Sequence, residues 1–299
     1  MKLATRHPGV PVLVTGERAV DVADVLAVTG CPAQPPRSVR EILERWAELS
    51  GYLRAAPADA RPSRAVRELC LLPPVGPGQL IVCCGFNYGG HAAEMGNETV
   101  GATWFIKNAN ATIGSGAPIA IPPDNSDVID YEGELAVVIG RDCHRVRASE
   151  ALRYVAGYTL VNDVSARLLT ASTASTDAIK RSVIDTHLGK QYPGFCPIGP
   201  VLLTADEVPD PGKLTFTTSV NGTVVQEAHL HDMRLGVPEL IEWLSSVFAF
   251  RPGDVISTGS PAGSGVSQHP PRFLRDADVV TVAAPEIGEL SNEVKVIPA

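Results

Sequence analysis

The sequence lacks long apolar runs, basic clusters and closely spaced cysteine pairs of the metal-binding type. No stretch reaches the ~18 apolar residues of a membrane-spanning helix, and no cluster of five Lys or Arg could neutralise nucleic-acid phosphates. The N-terminus has no apolar core of a secretory signal. None of the six cysteines forms a C-x-x-C pair, which argues against structural zinc. We therefore expect a cytoplasmic protein with reduced thiols, without nucleic-acid or membrane partners.

The length and composition are typical of a packed globular chain. The 299 residues are 44% hydrophobic and 19% charged, with a net charge of −8. This length suffices for one large domain or for a medium domain with a smaller companion. Residues 39–53 have helical spacing, and residues 56–77 are rich in proline. We predict a small α+β N-terminal domain over residues 1–75 and a catalytic domain over residues 76–299.

Short β-branched segments dominate the chain after residue 80. Segments that predict strands include 81–82, 135–139, 201–203, 255–257, 279–283 and 294–297. Asn221-Gly222 between two alternating segments predicts a tight hairpin. A helix is predicted over 238–248, and its expected buried stripe consists of Leu240, Ile241, Leu244, Val247 and Phe248. Many strands with few helices indicate a strand-rich α+β fold, either a barrel or a sandwich.

Three acidic residues are candidates for binding a divalent cation. Glu132 and Glu134 stand two apart at the start of a predicted strand, so their side chains share one face. Two carboxylates that face each other repel unless a cation or a proton lies between them. Asp163 follows another apolar run and would add a third oxygen ligand of the kind that Mg²⁺ prefers. Alternatively, the two glutamates form a solvated strand edge and Asp163 caps a helix.

His91 and Glu94 are candidates for acid–base chemistry. They lie three residues apart after a glycine-rich approach, so a helical turn would place both side chains on one side. Such a pair can remove a proton from water. Lys190 follows Gly189 and could hold a carboxylate or an oxyanion. The alternatives are an ordinary surface His–Glu pair and a solvated lysine.

Read in order, these segments resemble the C-terminal domain of the fumarylacetoacetate hydrolase family. The resemblance spans roughly residues 80–297. It rests on the following motifs: Gly85-Phe-Asn-Tyr88 with His91 and Glu94, Asp130-Tyr-Glu-Gly-Glu134, Asn162-Asp-Val-Ser-Ala-Arg167, Gly189-Lys190, Val220-Asn-Gly222, Pro252-Gly-Asp254 and Thr258-Gly-Ser-Pro261. It implies a mixed β-roll or barrel as the catalytic domain, a small N-terminal domain, and a homodimer.

The resemblance also implies roles for individual residues. Glu132, Glu134 and Asp163 would hold Mg²⁺ or Mn²⁺. His91 and Glu94 would activate a water, and Lys190 would stabilise an oxyanion or a carboxylate. Arg167 and Thr258 would lie near the substrate.

The function that follows is hydrolysis of a C–C bond in a small 1,3-dicarbonyl or acylpyruvate-like oxo acid. The same metal site could instead support a decarboxylase, a tautomerase or isomerase, or a cyclase. A non-catalytic ligand-binding relative is a further alternative.

The segment between Arg167 and Lys190 is longer than in the common branch of the family. It is rich in Ser, Thr and Ala, with a short helical pattern over 176–184. We predict that this segment covers the pocket or contacts a partner subunit and thereby shapes substrate choice. Otherwise it is a surface excursion.

Overall fold

The computed structural model describes residues 1–57, 60, 62–96, 98–123, 127–167 and 184–298. The strands are β1 (Lys2–Arg6), β2 (Val10–Thr15), β3 (Arg18–Asp21), β4 (Arg64–Ala65), β5 (Leu71–Leu72), β6 (Ile81–Gly85), β7 (Thr103–Lys107), β8 (Thr112–Ile113), β9 (Ile119–Ile121), β10 (Ile129–Asp130), β11 (Gly133–Ile139), β12 (Val155–Asn162), β13 (Ser165–Ala166), β14 (Cys196–Thr204), β15 (Thr215–Val220), β16 (Thr223–His229), β17 (Val255–Ser257), β18 (Val279–Ala284) and β19 (Gly288–Val296). The helices are α1 (Val22–Val28), α2 (Val39–Glu44), α3 (Trp46–Arg54), α4 (Gly89–Glu94), α5 (Ala148–Ala151) and α6 (Val237–Ser245).

Within these residues the strands form three sheets. The large sheet has the order β4-β3-β2-β1-β14-β12-β11-β17-β6-β7, with β5 beside β1 and β8 beside β14. A smaller sheet has the order β16-β15-β18-β19-β9, and β10 pairs with β13. Antiparallel pairs predominate, but β17–β6, β14–β8 and β19–β9 are parallel. The predicted strand-rich α+β fold with mixed pairing is confirmed.

The central strands of the large sheet are covered on both faces. All seven residues of β11 are buried, which explains its unbroken apolar run. Leu135 and Val137 pack in the core cluster that contains Leu240 of α6. Ala136 and Val138 belong to the cluster on the other side, which includes the N-terminal helices. No described helix is long and apolar enough to cross a membrane.

The N-terminal strands continue the large sheet. β1 pairs with β14 in the register Lys2↔Leu203, so residues 1–75 share a hydrogen-bonded sheet with the rest of the chain. The division at residue 75 stays a prediction about folding units. The helical pattern of 39–53 forms two helices, because the backbone leaves the helical conformation at Arg45, with φ −106° and ψ 25°.

Two local predictions have different outcomes. The hairpin turn is confirmed: β15 and β16 are joined by Asn221 and Gly222, with φ values of 51° and 77°. The predicted stripe of the 238–248 helix is partly wrong. Val247 is 54% exposed, because α6 ends at Ser245 and Val247 lies beyond it.

Candidate metal centre and active site

Three carboxylates meet where β11 begins and β12 ends. The two strands are antiparallel, with Gly133 opposite Asn162, so Glu132, Glu134 and Asp163 come from adjacent chain ends. One oxygen from each lies within 4.8 Å of the others, and all three side chains are buried. The two-residue spacing of the glutamates therefore brings them together as the strand rule predicts.

Gly133 separates the two glutamates because no side chain fits there. A Cβ at this position would lie 1.9 Å from Oγ1 of Thr218 on β15 of the smaller sheet. The Gly133 amide donates to Oε1 of Gln226 on β16, at 3.0 Å. Close contact between the two sheets thus fixes the backbone that carries both glutamates.

Buried cationic side chains surround the triad. The Lys190 ammonium donates to Glu132 at 2.6 Å and to Asp163 at 2.5 Å. Lys107 on β7 forms an ion pair with the other oxygen of Asp163 and donates to the Val164 carbonyl at 2.9 Å. Lys190 and Asp163 are therefore buried and ion-paired, and the element that directly follows Asp163 in the described residues is the strand β13.

Arg167 is held by two carboxylates. It forms an ion pair with Glu132, and its Nε donates to Asp130 at 3.0 Å. Asp130 is itself fully buried and also accepts from the Gly265 amide at 2.7 Å. Burial raises the pKa of Glu132, but attraction by Lys190 and Arg167 outweighs it and holds this pKa well below the usual range.

Glu134 has no cationic partner among the described residues. It accepts from the Ser257 hydroxyl at 2.5 Å and from the Gly259 amide at 3.0 Å. Gly259 has φ +101°, a conformation that favours glycine. Burial, followed by repulsion from Asp163, raises the pKa of Glu134 to about 8. Among the described residues no cationic side chain pairs with this carboxylate, so a bound cation or a proton would neutralise it.

The donor set fits a hard divalent cation. Four buried carboxylates, those of Asp130, Glu132, Glu134 and Asp163, face the three cationic groups of Lys107, Arg167 and Lys190. The three oxygens of the triad are of the type that Mg²⁺ and Mn²⁺ take in proteins. A divalent ion would supply the charge that Glu134 lacks.

His91 and Glu94 lie beside the triad on α4. His91 Nε2 is 3.8 Å from Oε1 of Glu132, and Nδ1 is 3.9 Å from Oε2 of Glu94. Nδ1 is buried and has no hydrogen-bond partner in the described part of the chain. Burial raises the pKa of Glu94, but His91 and the Gly263 amide, which donates to Glu94 at 3.0 Å, outweigh it, so this pKa is lowered. An ionised carboxylate beside a histidine can accept a proton.

Thr258 is buried at the end of β17, next to the residues that bind Glu134. Its hydroxyl donates to the Leu135 carbonyl at 2.8 Å, and its own carbonyl accepts from Asn87 at 2.9 Å. The structure therefore brings all eight candidate residues to one region. Thr258 differs from the charged candidates in that its hydroxyl hydrogen is donated to a backbone carbonyl.

Lys107 and Gln191 are components of this site that the sequence analysis missed. β7 shows an inverted pattern, with Phe105 and Lys107 buried while Trp104 and Ile106 are 40% and 44% exposed. The side chain of Gln191 accepts from the Asn108 amide at 2.8 Å and donates to the Ile106 carbonyl at 3.0 Å. It thereby brackets Lys107 and ties β7 to the residue after Lys190. The sequence does contain a signal for Lys107: it stands two residues after Phe105 in a short strand, so the two side chains face the same side of the sheet.

The ends of the long segment between Arg167 and Lys190 meet at Glu132, since both side chains form ion pairs with that carboxylate. Residues 168–183 lie outside the described residues, and the predicted cover stays a prediction.

Three buried carboxylates that could hold a divalent cation, beside a histidine–carboxylate pair, are the kind of site found in metal-dependent enzymes. Residues 80–295 match the family model for the fumarylacetoacetate (FAA) hydrolase C-terminal domain. The chain belongs to the fumarylacetoacetate hydrolase family. It is 38% identical over 225 residues to an uncharacterised protein of Staphylococcus saprophyticus. The matched region covers 75% of this chain and 71% of that protein.

Solved structures agree over the whole chain. The maleylpyruvate hydrolase of Sphingobium sp. SYK-6, in complex with manganese(II) and pyruvate, has a TM-score of 0.80 and 27% identity, with 100% of both chains covered. The fumarylacetoacetate hydrolase of Exiguobacterium antarcticum has a TM-score of 0.81 and 30% identity over 99% of this chain and 100% of that one. A 5-carboxymethyl-2-hydroxymuconate delta-isomerase of Mycobacterium smegmatis has a TM-score of 0.72 and 29% identity, with full coverage of both. Both hydrolases and isomerases thus share this fold.

Proposed function

We propose that this enzyme hydrolyses a C–C bond in a small 1,3-dicarbonyl or acylpyruvate-like oxo acid, using Mg²⁺ or Mn²⁺. The observation that carries the proposal is the carboxylate triad, with one oxygen of each member within 4.8 Å of the others, beside His91 and Glu94. A similar maleylpyruvate hydrolase binds manganese(II) and pyruvate, an ion of the proposed kind and the oxo acid that hydrolysis of an acylpyruvate would release. Glu132, Glu134 and Asp163 would hold the ion.

When bound, the divalent ion supplies a Lewis acid that polarises a carbonyl oxygen. Glu94 accepts the proton of the attacking water, because its carboxylate is ionised and only 29% exposed beside the triad. His91 lies between Glu94 and Glu132 and passes or orients that proton through its two ring nitrogens. Contacts of 3.8 and 3.9 Å are longer than hydrogen bonds, and we expect them to tighten around water and substrate.

Lys190 and Arg167 bind the anionic part of the substrate. Both are buried cations that contact Glu132, so a substrate carboxylate or a developing oxyanion beside that residue meets positive charge from two sides. Thr258 shapes the pocket wall, since its hydroxyl hydrogen is donated to Leu135. Exclusion of water by the buried surroundings strengthens each of these contacts.

A second candidate function is decarboxylation, isomerisation, tautomerisation or ring closure at the same site. The similarity to a 5-carboxymethyl-2-hydroxymuconate delta-isomerase favours this alternative, because that reaction moves a proton without a hydrolytic water. In this case His91 and Glu94 would shuttle a substrate proton and leave water unused.

We also propose that the protein is a cytoplasmic homodimer. The exposed Trp104 and Ile106 on β7, at the free edge of the large sheet, support a second copy as the partner. Six free cysteines are in keeping with a reducing compartment. Sedimentation of the purified protein should give twice the chain mass, and a monomer at micromolar concentration would refute the dimer.

A substrate panel with a base-deficient variant tests the proposed reaction. Acylpyruvates, oxaloacetate and catechol-pathway oxo acids are incubated with Mn²⁺ or Mg²⁺, enol absorbance is followed, and products are identified by mass spectrometry. We expect acylpyruvates to yield two carboxylic acids. Glu94→Gln should retain metal affinity while turnover falls by about 10²–10⁴. Isomerised or decarboxylated products alone would select the second candidate, and wild-type turnover in Glu94→Gln would remove Glu94 from the mechanism.

A further inference from the structure

We propose that a second site, remote from the carboxylate triad, binds a small organic dianion with a flat apolar body. The site is a cleft of about 1020 Å³ between the N-terminal helices and two loops of the large sheet. We call it the arginine cleft, after the five arginines that line it: Arg40, Arg54, Arg141, Arg153 and Arg251. Ligand binding in the arginine cleft would depend neither on a metal at the carboxylate triad nor on the proposed reaction.

Two of these arginines come from loops that the backbone joins. Arg141 follows β11 and Arg251 precedes β17, and Cys143 and Phe250 exchange both backbone hydrogen bonds at 2.9 Å. Both guanidinium groups are exposed, and in the described part of the chain neither has an ion pair or a hydrogen bond. Two guanidinium groups without ion pairs on joined loops are suited to bind an oxyanion.

Arg40 brings a third guanidinium to the same place from α2. Its Cζ lies only 3.2 Å from where a Cβ at Gly253 would be, so it rests directly on the loop that carries Arg251. Its Nη2 is buried without a hydrogen-bond partner among the described residues and is 4.0 Å from Asp254. The separation of 4.0 Å from Asp254 leaves the charge of Arg40 only partly compensated beside the loop that carries Arg251.

The balance of charge in the cleft favours an anion. Three acidic residues, Glu44, Asp142 and Asp206, stand against the five arginines, although the chain as a whole has a net charge of −8. One of them, Asp206, is paired with Arg54 at 3.1 Å, and two further arginines have carboxylates beside the lining, Arg153 with Glu150 at 3.5 Å and Arg40 with Asp254 at 4.0 Å. Arg141 and Arg251 are therefore the lining arginines without an ion pair among the described residues, and they supply the positive charge that would attract a small anion.

The apolar wall and the volume define the rest of the ligand. Leu43 and Trp46 line the cleft, and the guanidinium of Arg54 stacks 5.4 Å from the centre of the Trp46 ring. Pockets for small ligands measure about 300–1,000 Å³ and combine apolar walls with a few polar anchors. A nucleoside monophosphate or an aromatic dicarboxylate has both the dianion and the flat body that this cleft would hold.

Calorimetry on the full-length, Mn²⁺-loaded enzyme tests the proposal with two probes, adenosine 5′-monophosphate and isophthalate. They carry the same charge on a flat body but differ in phosphate and carboxylate chemistry. We expect at least one probe to bind saturably. The double variant Arg141→Gln/Arg251→Gln should bind it about tenfold or more weakly, because two charge-assisted contacts are lost. Affinity should also fall as salt is raised.

A matched control removes the same charge elsewhere. Arg67 and Arg147 are exposed and lie outside the cleft, so Arg67→Gln/Arg147→Gln should bind within about twofold of wild type. Equal weakening in both double variants would reduce the effect to net charge and overturn the proposal. Absence of saturable binding of both probes up to 10 mM would do so as well. So would binding that is lost without Mn²⁺ but unaffected in Arg141→Gln/Arg251→Gln, because the probe would then occupy the carboxylate site.

Discussion

The two ends of β11, β12 and β17 differ in whether their charged side chains are buried or exposed to water. At one end, β11, β12 and β17 bring together Glu134, Asp163 and Ser257, which are buried. At the other end, the same strands adjoin Arg141 and Arg251, which are exposed and lack ion pairs within the described residues. At about 3.3 Å per residue, the seven residues of β11 separate these ends by roughly 20 Å.

This difference follows from the free energy required to remove a charged side chain from water. At the buried end each cation contacts a carboxylate, because an isolated buried ion is strongly destabilising. At the open end water solvates the guanidinium groups, so they remain available to a ligand. We therefore expect a substitution that leaves a buried cation of the carboxylate cluster unpaired to disturb both folding and metal binding, and substitutions in the arginine cleft to disturb neither.

The largest contrast should come from the same substitution at the two ends. Asp163→Asn leaves the fully buried Lys107 without its counterion and should lower the free energy of unfolding by about 3–5 kcal/mol. Asp142→Asn in the cleft should change it by at most about 0.5 kcal/mol. Urea unfolding in the presence of EDTA measures both values. Similar losses in the two variants would abolish the contrast.

The next effect concerns the one triad member that has no cationic partner. Glu134→Gln keeps the size of the side chain and leaves no buried cation without its counterion. The free energy of unfolding without metal should therefore change by about 1 kcal/mol or less. Mn²⁺ affinity should fall by about a hundredfold or more, because a charged ligand is lost. Unchanged affinity in calorimetry would show that Glu134 is not a ligand.

A smaller effect, an increase in Mn²⁺ affinity, is expected from substitution of Lys190. Its ammonium contacts the same two carboxylates, Glu132 and Asp163, that would bind the ion, so the two cations compete. Lys190→Met should bind Mn²⁺ up to roughly tenfold more tightly, whereas Lys190→Arg, which keeps the charge, should stay close to wild type. Weaker Mn²⁺ binding in Lys190→Met would mean that the lysine supports the ion.

The smallest effect should come from Gln191, which joins β7 to the site. Gln191→Ala removes two hydrogen bonds to the backbone around Lys107, each worth about 0.5–1.5 kcal/mol. Exchange of the Asn108 amide hydrogen should accelerate. Gln191→Glu keeps the acceptor for that amide and should exchange more slowly than Gln191→Ala. Equal exchange in wild type and both variants would show that Gln191 does not hold the strand edge.

The sequence predicted the features that depend on local periodicity. The spacing of Glu132 and Glu134, the hairpin at Asn221-Gly222 and the strand-rich fold follow from two-residue alternation and turn chemistry. Spacing made His91 and Glu94 a candidate pair, but the choice of catalytic roles for His91 and Lys190 over a surface pair and a solvated lysine needed the family resemblance.

Features that depend on contacts distant in sequence were missed. Lys107 pairs with Asp163 across 56 residues, and Asp130 accepts from Gly265 across 135. The pairing of the Arg141 and Arg251 loops is of the same kind, since only the folded sheet brings them together. Val247 was placed wrongly because α6 ends three residues earlier than its apolar pattern suggests.

The inverted pattern of β7 has a consequence for how the chain reaches its native pairing. Sliding β7 by one residue along β6 would turn Trp104 and Ile106 inward and move Lys107 out to water. The slipped alignment would bury Trp104 and Ile106 in place of Phe105, so apolar burial alone does not favour the native one. We expect the ion pair between Lys107 and Asp163, together with the backbone hydrogen bonds of Gln191, to keep the native alignment. Loss of the Lys107 charge should therefore permit a misaligned edge strand, in which Trp104 and Ile106 are no longer available to a second copy of the chain.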